Sequence, residues 1–149
     1  MLISTFLLED QSDIRDALII GMQQHAPVRF VGIADSEASA KKWLSANDSQ
    51  WELAIVDLCL IKGSGLNVLK NCRLRSSRQK VVVFTSCTEE HLLSRCRELG
   101  ADAVFDKGQD VEKLVAFCKR HAANLVAQHR HGPRDEVYNV TAGAIYDET

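Results

Sequence analysis

Short, nearly continuous apolar runs alternate along the chain with longer stretches whose apolar residues recur at helical spacing. Leu2–Leu8 is the first such run and stops abruptly at Glu9 and Asp10, as expected of a strand buried on both faces. A helix is predicted at about Ser12–Gln24, with Ser12 as N-cap and Ile14, Leu18 and Met22 on one face, and Pro27 closes it. Val28–Ala34 reads as the second strand, Ser36–Ala46 as a helix with Ala38 and Leu44 inward, and Leu53–Val56 as a third strand ending in Asp57. A loop with Gly63 and Gly65 leads into a helix at about Leu66–Arg73. Val81, Val82, Val83 and Phe84 make the plainest strand, ending at Thr85 and Ser86. Thr88 can cap the following helix, where Leu92, Cys96 and Leu99 share a face before Gly100 stops it. A short fifth strand, Ala101–Phe105, ends at Asp106 and Lys107. The last helix groups Val111, Leu114, Val115 and Cys118 and fades around Gln128. Such alternation implies an α/β fold with a parallel sheet and helices on both faces.

Composition narrows the class of molecule. A chain of 149 residues is one domain's worth, and with 46% hydrophobic residues, 2 Pro and 8 Gly it has the make-up of a packed globular protein. A net charge of −2 argues against holding nucleic acid or an anionic membrane by bulk electrostatics. The opening MLISTFLLED has neither a basic leader nor an apolar stretch of membrane length, so a cytoplasmic protein with no membrane partner is expected. Five cysteines without Cys-x-x-Cys spacing read as reduced thiols, most of them small core residues.

Open parallel sheets bind ligands outside the carboxyl ends of their strands, so what each strand ends on matters. Here those residues are Glu9 and Asp10, Asp57, Thr85 and Ser86, and Lys107. Three carboxylates at one sheet edge repel one another, and a bound cation or a cationic side chain relieves that. Lys107 is one such side chain, and an all-oxygen site open to water suits Mg²⁺. Asp57 is the best nucleophile of the three, because it alone follows a fully apolar strand and precedes another apolar residue, Leu58.

The Glu9-Asp10 pair, AIVDLCL around Asp57, VVVFTS around Thr85 and GADAVFDK ending in Lys107 together resemble the receiver domain of bacterial two-component response regulators. The resemblance covers about residues 1–128 and leaves 129–149 as a C-terminal tail. It implies a flavodoxin-like doubly wound sheet of five strands in the order 2-1-3-4-5. It further implies that Glu9, Asp10, Asp57 and the backbone carbonyl of Cys59 hold Mg²⁺, and that Asp57 accepts a phosphoryl group from a sensor histidine kinase or phosphotransfer protein. Thr85 and Lys107 would then bind the phosphoryl oxygens. On this reading the domain is not an enzyme on other substrates, though it promotes its own phosphoryl transfer and dephosphorylation. With no room for an effector, its output is expected to be a protein–protein contact and not direct DNA binding.

Three departures from the family pattern stand out. Val104 replaces the usual aromatic switch residue, with Phe105 beside it; Gly108 replaces the common Pro after the lysine; and LCLIKGSGL lacks the frequent Met-Pro step. The missing Met-Pro step points to a variant subfamily, while Val104 and Gly108 keep a pseudo-receiver, a binding module without phosphorylation, as the alternative. A haloacid-dehalogenase-like phosphatase would need a second Asp where Cys59 stands. Cys59 and Cys87, each two positions beyond a site residue, read as small gatekeepers, with a redox or metal role as the sharper option. Phe117, with Val104 and Phe105, could form a homodimer or docking surface. The His129-Arg130-His131 knot reads as a solvated face.

Overall fold

A computed structural model describes the backbone of residues 1–142 and the side chains of residues 1–128. The elements follow in the order β1 (Ile3–Leu8), α1 (Ser12–His25), β2 (Val28–Ala34), α2 (Glu37–Ala46), β3 (Leu53–Val56), α3 (Gly65–Asn71), β4 (Lys80–Thr85), α4 (Glu90–Glu98), β5 (Ala103–Asp106) and α5 (Val111–Ala142). All strands pair in parallel, in the order β2-β1-β3-β4-β5, as the resemblance implied. The order reverses between β1 and β3, and that crevice is where open sheets of this kind place their sites.

Two cores sandwich the sheet. Successive strand residues face opposite ways, so Phe6, Leu8, Ala54, Val56, Val81 and Val83 meet α2, α3 and α4 on one face. Ile3, Leu7, Leu53, Ile55, Val82 and Phe84 meet α1 and α5 on the other. β3, the central strand, is buried at all 4 positions, which is why it reads as a short unbroken apolar run. Trp43 of α2 stacks on Phe6, centroids 4.8 Å apart.

Several local expectations fail for physical reasons. Ser12 is the first helical residue and not the cap; Gln11 precedes it without a side-chain cap bond. Thr88 likewise stays outside α4, whose cap position is Glu89. The working caps are Ser36, in a reciprocal capping box with Ser39, and Ser64, which accepts from the Leu66 N–H at 3.1 Å. On α2 the inward residues are Ala40 and Leu44, while Ala38 is exposed. Gly100 does end α4, at φ +94°, in the left-handed region. α5 continues to Ala142, past the end expected near Gln128. The side chains of the His129-Arg130-His131 knot and residues 143–149 lie outside the described residues. Val104 and Phe105 face opposite cores, so with Phe117 they do not form one surface. Phe117 instead packs edge-on against Phe105 and lies beside His121.

Two polar anchors close the amino ends of the strands, opposite the site. Arg75 donates to the carbonyls of Cys72, Gln79 and Gly100 and to Asp102, at 2.7–3.0 Å, and Asp102 also accepts from the Val81 N–H. Charge-assisted bonds of this kind are the strong ones. Arg75→Ala is therefore expected to cost about 2 kcal/mol, read as a lower urea midpoint with unchanged slope. His121 is buried and bonds through Nε2 to the Glu52 carbonyl at 2.7 Å. Burial holds its imidazole below the usual 6.5, and the nearby Lys80 adds to this against the opposing Glu52 carbonyl. The unfolded chain therefore takes up a proton as pH falls below 6.5 while the folded one resists. Stability is expected to be full above that pH and to decline below it, at most about 1.4 kcal/mol per pH unit. Denaturant melts of the wild type and of His121→Gln should differ in this slope before the carboxylates begin to titrate.

Candidate functional site

The carboxyl ends of β1, β3, β4 and β5 deliver the site. Glu9 follows β1 and is buried to 1% exposure, Asp57 follows β3 at 5%, and Asp10 is half-buried beside them. The Asp57 N–H donates to the Leu8 carbonyl and the Glu9 N–H to the Ala34 carbonyl, which carries the sheet one residue into the site. One oxygen of each of Glu9, Asp10 and Asp57 lies within 4.8 Å of the others. Lys107, whose N–H donates to the Thr85 carbonyl, sends Nζ to Asp57 Oδ2 at 3.0 Å and also to Glu9. Burial disfavours its charge, and this is the largest single influence, yet the two carboxylates together outweigh it and hold the ammonium above its usual pKa.

The formal charges of the cluster do not balance. Three carboxylates against one ammonium leave −3 + 1 = −2 in a pocket that is mostly out of water. An all-oxygen donor set of this kind is what a hard divalent cation takes, and such an ion would cancel that charge. The residues present therefore fit Mg²⁺.

Thr85 ends β4 and is fully buried; its Oγ1 accepts from the Cys87 N–H at 3.0 Å, which leaves its own O–H proton free to donate. Ser86 is exposed. Cys59 is exposed in the loop after Asp57, where it forms a single antiparallel bridge with Ser64. Asp10 Oδ2 accepts from the Ile61 N–H of that loop at 2.6 Å.

One feature of this loop has no local trace in the sequence, and a second differs from what the absence of Cys-x-x-Cys spacing implied. Glu37, at the start of α2, accepts from the Ser64 N–H and from Asn67 and pairs with Lys41 at 2.7 Å. Lys41 above all, then those two donors, hold its carboxyl down to about 2. The expectation of five reduced thiols is also corrected: Cys59 and Cys87 are joined in a disulfide. Cys72, Cys96 and Cys118 are free and buried, as expected of small core residues. The spacing rule fails because it looks along the chain, whereas these sulfurs meet across two adjacent strands.

Fold and site together define a doubly wound α/β domain whose acids and one lysine gather at the point where strand order reverses. The chain belongs to the response regulator receiver domain family, whose model matches residues 5–119, and so is a receiver domain of the two-component type. That family consists generally of signalling domains and not of enzymes. The chain is 23% identical over 120 residues to the transcriptional regulatory protein CitB of Klebsiella pneumoniae, covering 80% of this chain and 50% of that protein. It spans about half the length of the curated relatives it matches. A LuxR-family DNA-binding response regulator from Staphylococcus aureus superposes with a TM-score of 0.71 at 22% identity, over 80% of this chain and 98% of the other. A response regulator from Burkholderia pseudomallei, solved with a phosphorylated aspartic acid, a calcium ion and citrate, gives 0.65 at 22% identity, over 87% and 75%. At that identity both show the fold alone. Among the described residues no helix is long and apolar enough to cross a membrane.

Proposed function

We propose that this receiver domain accepts a phosphoryl group on Asp57 and signals through the resulting change in the loops after β3 and β4. The observation that supports the reading most is Lys107 Nζ bonded to both Asp57 and Glu9 inside the three-carboxylate cluster. Asp57 carries the nucleophilic oxygen: it forms the O–P bond as the N–P bond of a phosphohistidine breaks, with the electron pair leaving on the imidazole nitrogen. Glu9, Asp10, Asp57 and the Cys59 carbonyl are the residues that would hold Mg²⁺. When bound, the ion supplies positive charge that lets phosphoryl and carboxylate oxygens approach. Lys107 is already poised on Asp57 to neutralise the phosphoryl oxygens, and Thr85 can donate its free hydroxyl proton to them. The Burkholderia relative, with its phosphorylated aspartate and divalent ion, is consistent with this chemistry.

A groove of about 920 Å³ runs between α1 and α5 and opens beside Lys107 and Ser86, with Leu18, Met22 and Val115 among its apolar lining. We infer that the phosphodonor, a sensor histidine kinase or phosphotransfer protein, docks there, since an apolar groove contiguous with the site brings a donor residue to Asp57. The test is incubation with phosphoramidate and Mg²⁺, followed by intact mass. One added phosphoryl group per chain is expected for the wild type and none for Asp57→Asn or after chelation; equal labelling of Asp57→Asn would overturn the assignment.

A further inference from the structure

The Cys59–Cys87 disulfide has no part in the chemistry so far described. Val56 and Val83 are register partners in adjacent parallel strands, so the two loops leave the sheet at nearly the same level. Cys59 then falls two residues beyond Asp57 and Cys87 two beyond Thr85, with Cα atoms 6.9 Å apart, within the roughly 7 Å that a disulfide spans. The link therefore ties the loop bearing the carboxylate to the loop bearing the hydroxyl. Cys87 also donates its N–H to Thr85 Oγ1, so any displacement of Cys87 disturbs the partner of that hydroxyl. Cys59 is an exposed residue and Cys87 is half-buried. The remaining cysteines do not compete: burial pushes the Cys72 thiol up to about 11 and Cys118 to about 12, and raises Cys96 as well.

We propose that Cys59 and Cys87 form a reversible thiol–disulfide modification site for small-molecule disulfides of the glutathione class, and that the closed link slows phosphoryl transfer to Asp57. Its effect on rate rests on the phosphoacceptor reading; its chemistry does not. In the closing direction the Cys59 thiolate attacks one sulfur of the external disulfide and expels one thiolate. The Cys87 thiolate then attacks the Cys59 sulfur of the mixed disulfide and expels the second. Two electrons and two protons pass from the protein thiols to the two released small thiols, and the reverse exchange reopens the pair. The rate effect follows from space: a phosphoryl group brings three oxygens to the mouth between the loops, and the tether resists both loop separation and movement of Cys87 away from Thr85.

The full chain is treated with oxidised glutathione or with dithiothreitol, desalted, and labelled with phosphoramidate and Mg²⁺ while intact mass is followed in time. Non-reducing peptide maps are taken in parallel. The map should join Cys59 to Cys87 only after oxidation, and the reduced form should label faster on the order of tenfold, short of the roughly 10²-fold that a 1 Å misplacement of reacting groups costs. The Cys59→Ser, Cys87→Ser double variant should label at a rate independent of pretreatment. Absence of the cross-linked peptide would overturn the modification site. Equal rates in the two wild-type states, or a pretreatment effect that persists in the double variant, would overturn the rate effect. Labelling in neither state would instead overturn the phosphoacceptor reading, and the rate effect with it.

Discussion

Lys107→Ala is expected to destabilise the ion-free protein by about 3–5 kcal/mol, the cost of stripping the partner from buried charges. Glu9 and Asp57 have side chains only 1% and 7% exposed, and Lys107 Nζ bonds to both. Without it, three carboxylates face one another, and among the described residues no other cation of the protein pairs with them. Saturating Mg²⁺ should therefore rescue the variant more than it stabilises the wild type, since a ligand at 100 times its Kd adds about 2.7 kcal/mol to the state that binds it. Urea melts with and without Mg²⁺ read this as a narrowing of the gap between the two proteins. Melts of both proteins left unmoved by the ion would mean that the acidic cluster does not bind it. The labelling rate of the variant should fall by about 10²-fold, the scale for losing one preorganised electrostatic contact in a phosphoryl-transfer or acyl-transfer site.

Gly65→Ala should be nearly as damaging, although it adds a single methyl group. A Cβ at this position would stand 2.0 Å from the Asp57 carbonyl oxygen and 2.7 Å from Leu58 Cα, both backbone atoms with no flexible end to yield. The Gly65 N–H meanwhile donates to the Leu58 carbonyl, so the loop is stitched at the very point of contact. The expected cost is about 3 kcal/mol or more, at the upper end for overpacking, together with loss of labelling because relief must come from moving Asp57. Gly108→Ala is the control: its Cβ would come no nearer than 3.4 Å to Asp106 Oδ1, and both stability and labelling should stay near wild type. Equal behaviour of the two variants would show that the close approach at Gly65 does not position Asp57.

Much of this architecture was legible because the sheet is buried on both faces. Each strand is an apolar run that must stop where the chain leaves the core, so Leu8-Glu9, Val56-Asp57 and Phe84-Thr85 marked the strand ends and the site at once. Helix caps were less legible: Ser12 and Thr88 have the right chemistry for caps, yet a serine or threonine near a helix start caps only if its backbone is extended there, and in both cases another residue holds that place. The inward face of α2 is not legible at Ala38, because alanine carries too little apolar signal to fix a helix phase. Contacts made across the fold, such as Glu37 on Ser64 or Arg75 on Asp102, left no local trace at all. The disulfide is intermediate. Once strands ending at Asp57 and Thr85 were taken as neighbours, two cysteines at the same offset from those residues were already a signal, which Cys-x-x-Cys spacing could not register.

The central claim is that Asp57 is the residue that carries the phosphoryl group, and trapping the acyl phosphate tests it most directly. After labelling with phosphoramidate and Mg²⁺, borohydride reduces an aspartyl phosphate to homoserine, which peptide sequencing by mass locates. Homoserine at position 57 alone is the expected result. Homoserine at position 10, reduction at any other acid, or recovery of the Asp57 peptide unchanged from labelled protein would contradict it.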